Sequence, residues 1–109
     1  MNIQQQQISA TGIKFYIAIE NKEVARAYLY ILRNDLHLLP FGLMEDVFVE
    51  ESSRQLGYGT ALIDKVIEEA KFRKCYKLIC TSRYGKEKVH NLYLKKGFKS
   101  HGIEFRINF

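Results

Sequence analysis

One short segment of the chain has the composition of a phosphate-binding turn. It lies between a predicted strand and a predicted helix and consists of Arg54, Gln55, Leu56, Gly57, Tyr58, Gly59 and Thr60. Two glycines let the backbone approach a ligand closely, and the free N–H groups of a first helical turn favour an anion. Arg54 adds a fork of donors for phosphate oxygens. The segment therefore predicts a cradle for a pyrophosphate, although two glycines are also compatible with a simple tight turn.

Other sites of phosphate or metal binding fit the sequence less well. A Walker A loop requires G-x-x-x-x-G-K-[ST], which is absent, and a Rossmann turn requires G-x-G-x-x-G, whereas Leu62 stands three residues after Gly59. The three histidines are scattered, and Cys75 and Cys80 lack the C-x-x-C spacing of a zinc knuckle. We therefore expect no metal. So few cysteines also indicate reduced thiols and a cytoplasmic chain.

The elements that position this segment follow from the spacing of apolar residues. Period-two alternation predicts strands over 13–20 and 103–109, and runs rich in apolar or aromatic residues predict strands over 24–32, 42–49 and 76–81. Helical spacing predicts helices over 57–74 and 86–96.

The first two predicted strands form a hairpin, and the strand–helix–strand piece forms a right-handed parallel crossover. We thus expect an α/β fold with a mixed, mostly antiparallel sheet. Residues 1–8, which are rich in glutamine, are predicted as a flexible tail before a single domain over 9–109.

The charge balance suits an anionic partner. Lysine and arginine number 17 against 12 acidic residues, a net charge of +5 in 109 residues. Nucleic acid, an acidic membrane surface or a phosphate-rich cofactor would each match that surplus. No apolar run approaches the length of a membrane-spanning helix, and the polar N-terminus lacks the plan of a signal peptide.

Two motifs, in order, resemble those of the GNAT superfamily of N-acetyltransferases. The pattern Arg54-x-x-Gly57-x-Gly59 is similar to the family's acetyl-CoA loop, R/Q-x-x-G-x-G/A, which follows a central strand. Further along, the segment that begins at Tyr93 and ends at Gly97 and Phe98 is similar to the family's Y-x-x-x-G-F. A predicted helix and strand separate the motifs, as the resemblance requires. It covers residues 13–109 and implies a GNAT-like acyl-CoA N-acyltransferase fold.

The resemblance implies acetyl-CoA as the cosubstrate and a V-shaped opening between two splayed parallel strands. The pantetheine arm would pair with the backbone of the third strand, and the pyrophosphate would lie on the glycine-containing loop. Lys86 stands where the family often has an asparagine and could still meet a phosphate or a carbonyl. The implied cofactor-binding residues are Val47, Val49, Arg54, Gln55, Leu56, Gly57, Tyr58, Gly59, Thr60 and Lys86.

The resemblance also implies the groups that would move protons. Tyr93 occupies the family's position for the acid that protonates the leaving thiolate. Spermidine/spermine acetyltransferases carry a similar Glu-Asp pair before the loop, which implies Glu45 as the base and Asp46 as an amine-binding residue. Neighbouring residues of a strand face opposite sides, so both acids line one site only if the strand contains a bulge.

The N-terminal part is shorter than the family pattern requires. Family members usually begin with a strand and one or two helices that wall the acceptor site. That site would then be open, or completed by a second copy in a homodimer. The leading hypothesis is acetyl transfer to a primary amine; the alternatives are a non-catalytic CoA-binding module and, less favoured, a basic nucleic-acid-binding domain whose affinity would fall steeply with salt.

Overall fold

A computed structural model describes residues 1–109 and confirms the predicted mixed sheet. Its four strands, in spatial order, are β1 (Thr11–Ile19), β2 (Lys22–Leu32), β3 (Phe41–Val49) and β4 (Leu78–Ile79). The β1–β2 and β2–β3 pairs are antiparallel, and the β3–β4 pair is parallel. The α/β fold with a mostly antiparallel sheet and one parallel crossover is therefore confirmed.

The chain also contains two helices, which follow the predicted order along the sequence. Helix α1 spans Tyr58–Phe72 and lies between β3 and β4, whereas α2 spans Glu87–Lys95. A single 3-10 turn precedes α1. The chain divides into two compact units, Met1–Ile79 and Cys80–Phe109, so the sheet and α1 belong to the first unit and α2 to the second.

The core of the first unit lies between α1 and one face of the sheet. Alternate residues of β2 are buried, as expected for a strand that faces a helix on one side only. For α1 the sequence predicts one apolar stripe that runs from Ala61 to Ala70. The stripe is observed except at its start, where Ile63 is buried and Ala61 is exposed. The buried apolar side chains are Val24, Ala25, Ala27, Leu29, Ile31, Met44, Leu62, Ile63, Val66 and Ala70.

The prediction of a terminal strand over residues 103–109 is wrong. The chain has no regular secondary structure after Gly97, and the four alternating apolar side chains are exposed. Alternation determines only which side chains share a face, whereas a strand also needs a neighbour that completes its backbone hydrogen bonds. The short β4 illustrates the same requirement, because only Leu78 and Ile79 of the predicted 76–81 segment pair with β3.

The N-terminal residues are exposed and carry no regular structure before Thr11. Neither helix is long and apolar enough to cross a membrane.

Candidate functional site

The start of α1 is open to a ligand. Gly57 is the N-cap, no side chain caps the helix, and its first turn contains no acidic residue. The positive end of the helix dipole and its N–H groups are therefore not compensated by a side chain of the protein. A Cβ built on Gly57 would meet no protein atom within 4 Å, so the space beside the helix start is unoccupied by side chains.

The loop that leads into α1 bends sharply toward β3. Gln55 and Gly57 both have left-handed backbone angles, with φ of 64° and 84°. Arg54 donates from Nε to the carbonyl oxygen of Val49 at 3.0 Å, which holds the base of the loop against the end of β3. A Cβ on Gly59 would lie 3.6 Å from Val49 Cγ2. The structure thus brings Val49, Arg54, Gly57 and Gly59 together.

A shallow depression lies beside the loop. Its volume is about 650 Å³, within the size range of small-molecule sites. Arg54 is its only cationic lining residue, and the other lining residues are Phe48, Glu50, Glu51 and Ser52. Because two carboxylates line this depression, the uncapped helix start is better suited to an anion.

The two parallel strands pair over a very short length. The register contains only Gly42–Leu78 and Leu43–Ile79. The rest of β3, from Met44 to Val49, therefore continues without a β4 partner on that side. This segment includes Val47 and Val49, whose backbone groups the resemblance assigns to the pantetheine arm.

Strand β3 contains a bulge at the adjacent acids Glu45 and Asp46. At this bulge successive side chains no longer alternate between the two faces of the sheet. Tyr28 pairs with Glu45 and Arg26 pairs with Phe48. Between these pairs β2 advances two residues and β3 advances three, so β3 contains one extra residue. Asp46 has the left-handed φ of 49° at this point. The bulge required for both acids to serve one site is therefore present.

Both acids lie on the face of the sheet turned away from α1. Glu45 pairs with Tyr28, whose neighbours Ala27 and Leu29 are buried against the helix. Asp46 Oδ2 accepts a hydrogen bond from Arg26 Nε at 3.0 Å. Both carboxylates are exposed, and Glu45 makes no ion pair.

Arg26 was not identified from the sequence as a site residue. The hydrogen bond to Asp46 raises the pKa of its guanidinium, so the group is a permanent cation. The available signal was its position in β2, where it alternates with the buried Ala25 and Ala27 and must therefore face the other side. Its partner, however, lies 20 residues away and depends on the strand register.

The second unit places Tyr93 at the end of α2. Phe98 N–H donates to the Tyr93 carbonyl at 3.0 Å, and Gly97 N–H donates to the Leu94 carbonyl at 3.1 Å. With Gly97 at a φ of 100°, these bonds form a Schellman cap. The Tyr93 and Phe98 rings are 5.4 Å apart between centroids, so the cap also orients the tyrosine side chain.

Lys86 is the N-cap of the same helix. Its carbonyl oxygen accepts the His90 N–H at 2.9 Å, and its side chain makes no capping hydrogen bond. The other predicted loop residues are Leu56, which is exposed, and Tyr58 and Thr60, which are half-buried at the start of α1. No group of three or more His, Cys, Asp or Glu side chains is placed to hold a metal ion.

Comparison with known proteins assigns a family to nearly the whole chain. Residues 2–98 match the family model described as the acetyltransferase (GNAT) family. The chain is also 39% identical, over 67 residues, to a glucosamine 6-phosphate N-acetyltransferase of Trypanosoma brucei brucei. That match covers 62% of this chain and 44% of the relative, so the chain matches less than half of that protein's length.

Solved structures show the same fold. An acetyltransferase of Trypanosoma brucei superposes with a TM-score of 0.83 at 30% identity, over 90% of this chain and 69% of that one. Glucosamine-6-phosphate N-acetyltransferase of Arabidopsis thaliana superposes with a TM-score of 0.80 at 25% identity, over 90% of this chain and 67% of that one.

Proposed function

The chain belongs to the acetyltransferase (GNAT) family, and on that premise we propose that it transfers an acetyl group from acetyl-CoA directly to a primary amine. The observation that carries the proposal is the uncapped start of α1, with Arg54 at its base and no acid in its first turn. Helix N–H groups and a guanidinium are the donors that bind a diphosphate well. Coenzyme A contains a diphosphate, and the net charge of +5 suits its anionic character.

The acyl donor is proposed to extend from this loop along β3. The support is the stretch of β3 beyond Leu43, which has no β4 partner and therefore offers backbone groups to an extended ligand. Val47 and Val49 would pair with the pantetheine arm. Their N–H groups are also suited to hold the acetyl carbonyl as negative charge develops on its oxygen. The residues proposed around the diphosphate are Arg54, Gln55, Leu56, Gly57, Tyr58, Gly59 and Thr60, with Lys86 as a further contact.

The amine must lose a proton before it can react. A primary alkylamine with a pKa of about 10.4 is neutral in only about one molecule in 2,500 at pH 7. We propose that the Glu45 carboxylate, directly or through water, accepts the proton from the ammonium group. Asp46, whose carboxylate accepts a hydrogen bond from Arg26, is proposed to assist amine binding by adding negative charge beside Glu45. The bulge supports this assignment because it sets both acids on the face away from α1.

The remaining step is the transfer itself. The amine nitrogen attacks the thioester carbonyl carbon, the new C–N bond forms, and the C–S bond breaks. The sulfur leaves as a thiolate and needs a proton, which we propose comes from the Tyr93 hydroxyl. As the amide forms, the nitrogen releases one further proton to solvent, and the Tyr93 phenolate regains a proton from solvent. The ring contact with Phe98 and the Schellman cap support this role, because they hold the tyrosine in one orientation. No covalent enzyme intermediate is required.

Amino sugars are the first acceptor class to test. The support is the naming of two relatives as glucosamine-6-phosphate N-acetyltransferases, at 39% and 25% identity. Polyamines form the second class, because the Glu45-Asp46 pair resembles that of spermidine/spermine acetyltransferases. Both classes present an ammonium group to an acidic surface.

The experiment separates donor binding from turnover. Acetyl-CoA at 100 times its dissociation constant should stabilise the chain by about 2.7 kcal/mol, read as a rise in melting temperature, whereas acetyl phosphate should not. Thiol release is then measured with glucosamine 6-phosphate and with spermidine. Tyr93→Phe and Glu45→Gln should each lower turnover while leaving acetyl-CoA binding intact. Tyr76→Phe is the matched control, since that ring packs on His37 and Phe41.

Two outcomes would contradict the proposal. Absence of any acetyl-CoA-dependent stabilisation would exclude donor binding at α1. Donor binding without turnover of any amine, or a Tyr93→Phe variant as active as the wild type, would favour the non-catalytic CoA-binding module.

A further inference from the structure

The charges on the sheet face turned away from α1 do not balance locally. Three ion pairs connect four of them: Lys14 with Glu23, Arg26 with Asp46 at 3.0 Å, and Arg26 with Glu23 at 3.7 Å. With Glu45 included, two positive charges face three negative ones. Glu45 is the member without an ion pair, so the unmatched negative charge of this cluster resides there.

Arg26 determines which carboxylate of the cluster remains without an ion pair, because it pairs with both Glu23 and Asp46. Its guanidinium reaches across from β2 to Asp46, the residue with the left-handed φ in the β3 bulge. It also lies over the Phe48 ring, 4.8 Å from the centroid, on the other side of the bulge. One side chain therefore contacts Asp46, within the bulge, and Phe48, the first paired residue after it, and this side chain is only partly exposed.

The bulge needs such support. A left-handed φ is uncommon outside glycine, although aspartate tolerates it better than most residues. The adjacent carboxylates of Glu45 and Asp46 also repel each other. A cation bound to Asp46 reduces that repulsion, and the contact with Phe48 fixes where the cation lies.

We propose that Arg26 is a positioning residue for the acceptor amine. By binding Asp46 across the β3 bulge it holds the backbone at residues 45–48 and leaves Glu45 as the single unpaired carboxylate that meets the ammonium group. This inference rests on the proposed acetyltransferase function, but its structural part concerns the sheet alone.

The structural part is tested by hydrogen exchange in a double-mutant cycle. Arg26→Gln should increase exchange of the backbone amides at residues 45–48, and it should do so much less in an Asp46→Asn background. Lys22→Gln is the matched control, because Lys22 pairs with Glu50 at 3.5 Å and should leave these amides unchanged. If Arg26→Gln does not fold, Arg26→Lys replaces it in the same measurement. This variant keeps the positive charge but lacks the planar, forked hydrogen-bond donors of the guanidinium.

The catalytic part is tested with glucosamine 6-phosphate or spermidine, whichever the wild type acetylates. Loss of a hydrogen bond to a charged group predicts that Arg26→Gln lowers kcat/KM for the amine about tenfold. The KM for acetyl-CoA should not change, and the effect should shrink to about twofold or less in the Asp46→Asn background.

The outcomes distinguish this inference from the proposed function. Unchanged exchange at residues 45–48, or equal kinetic effects of Arg26→Gln in both backgrounds, would overturn the role of Arg26 in an active enzyme. Absence of turnover in the wild type would overturn the proposed function and the catalytic part together. Increased exchange in Arg26→Gln would still establish that Arg26 holds the bulge.

Discussion

The two glycines at the start of α1, Gly57 and Gly59, are predicted to respond differently to the same substitution. Gly57 has a φ of 84°, and a Cβ there would enter the open space beside the helix start. Gly59 lies in the first turn of α1, and a Cβ there would lie 3.6 Å from Val49 Cγ2, an ordinary contact inside the protein. Gly57→Ala should therefore disturb both the backbone and the ligand space, and Gly59→Ala neither.

The expected size follows from the backbone angles. Alanine in a left-handed conformation costs about 1–2 kcal/mol. Both substitutions reduce the entropy of the unfolded chain by a similar amount, about 0.4–1 kcal/mol, so that contribution cancels when the two variants are compared. Gly57→Ala should therefore be less stable than Gly59→Ala by at least about 1 kcal/mol, or about 4–8 °C in melting temperature.

Urea unfolding gives the difference in stability, and the acetyl-CoA-dependent rise in melting temperature gives donor binding. Gly97→Ala is the control for strain alone, because Gly97 has a φ of 100° and caps α2. It should lose stability while keeping the acetyl-CoA response, whereas Gly57→Ala should lose both. A Gly59→Ala variant at least as destabilised as Gly57→Ala, or a Gly57→Ala variant with the full acetyl-CoA response, would refute the reasoning.

The remaining predictions concern the rest of the chain. Gly42→Ala should lower the free energy of unfolding by about 1–3 kcal/mol in urea titrations, because its Cβ would lie 2.9 Å from Leu78 Cδ1; unchanged stability would contradict the packing. Burial raises the pKa of the half-buried Cys75 thiol above 9.0, so the thiol of a Cys80→Ser variant should react more slowly with iodoacetamide when folded than in urea. Since that pKa is raised, the stability contribution of the protonated thiol is complete below pH 9.0 and should fall as pH rises through the folded-state pKa, as unfolding titrations between pH 8 and 10 would show. Phe98→Ala should speed amide exchange in the last turn of α2, because the ring that completes its cap is lost.

Local patterns were sufficient for much of the fold. The apolar spacing of α1, the alternation of β1 and the apolar and aromatic run of β2 predicted those elements within a few residues of their observed ends. Glu69 and Arg73 lie four residues apart, the spacing at which opposite charges meet on a helix, and they pair at 2.8 Å. These features depend on residues close in the chain, where helix and strand geometry determine which side chains meet.

The terminal segment marks the limit of that reasoning. Residues 103–109 alternate as well as those of β1, yet they form no strand, whereas β1 pairs with β2 over its whole length. Period-two alternation is a property of the segment, but strand formation is a property of two segments. The pattern of one segment does not show whether a partner strand lies beside it.

The sequence alone determined the glycine-containing loop and the helix that follows it. It also determined where Glu45, Asp46 and Tyr93 lie along their elements. Only the tertiary structure decided that β3 bulges at Asp46, that Arg26 pairs with that carboxylate, and that β4 accompanies β3 for two residues. The physical reason is range. A turn or a helix start is built from neighbouring residues. Which of the two acids remains unpaired depends instead on the strand register, because Arg26, which pairs with Asp46, lies 20 residues away from it in the chain.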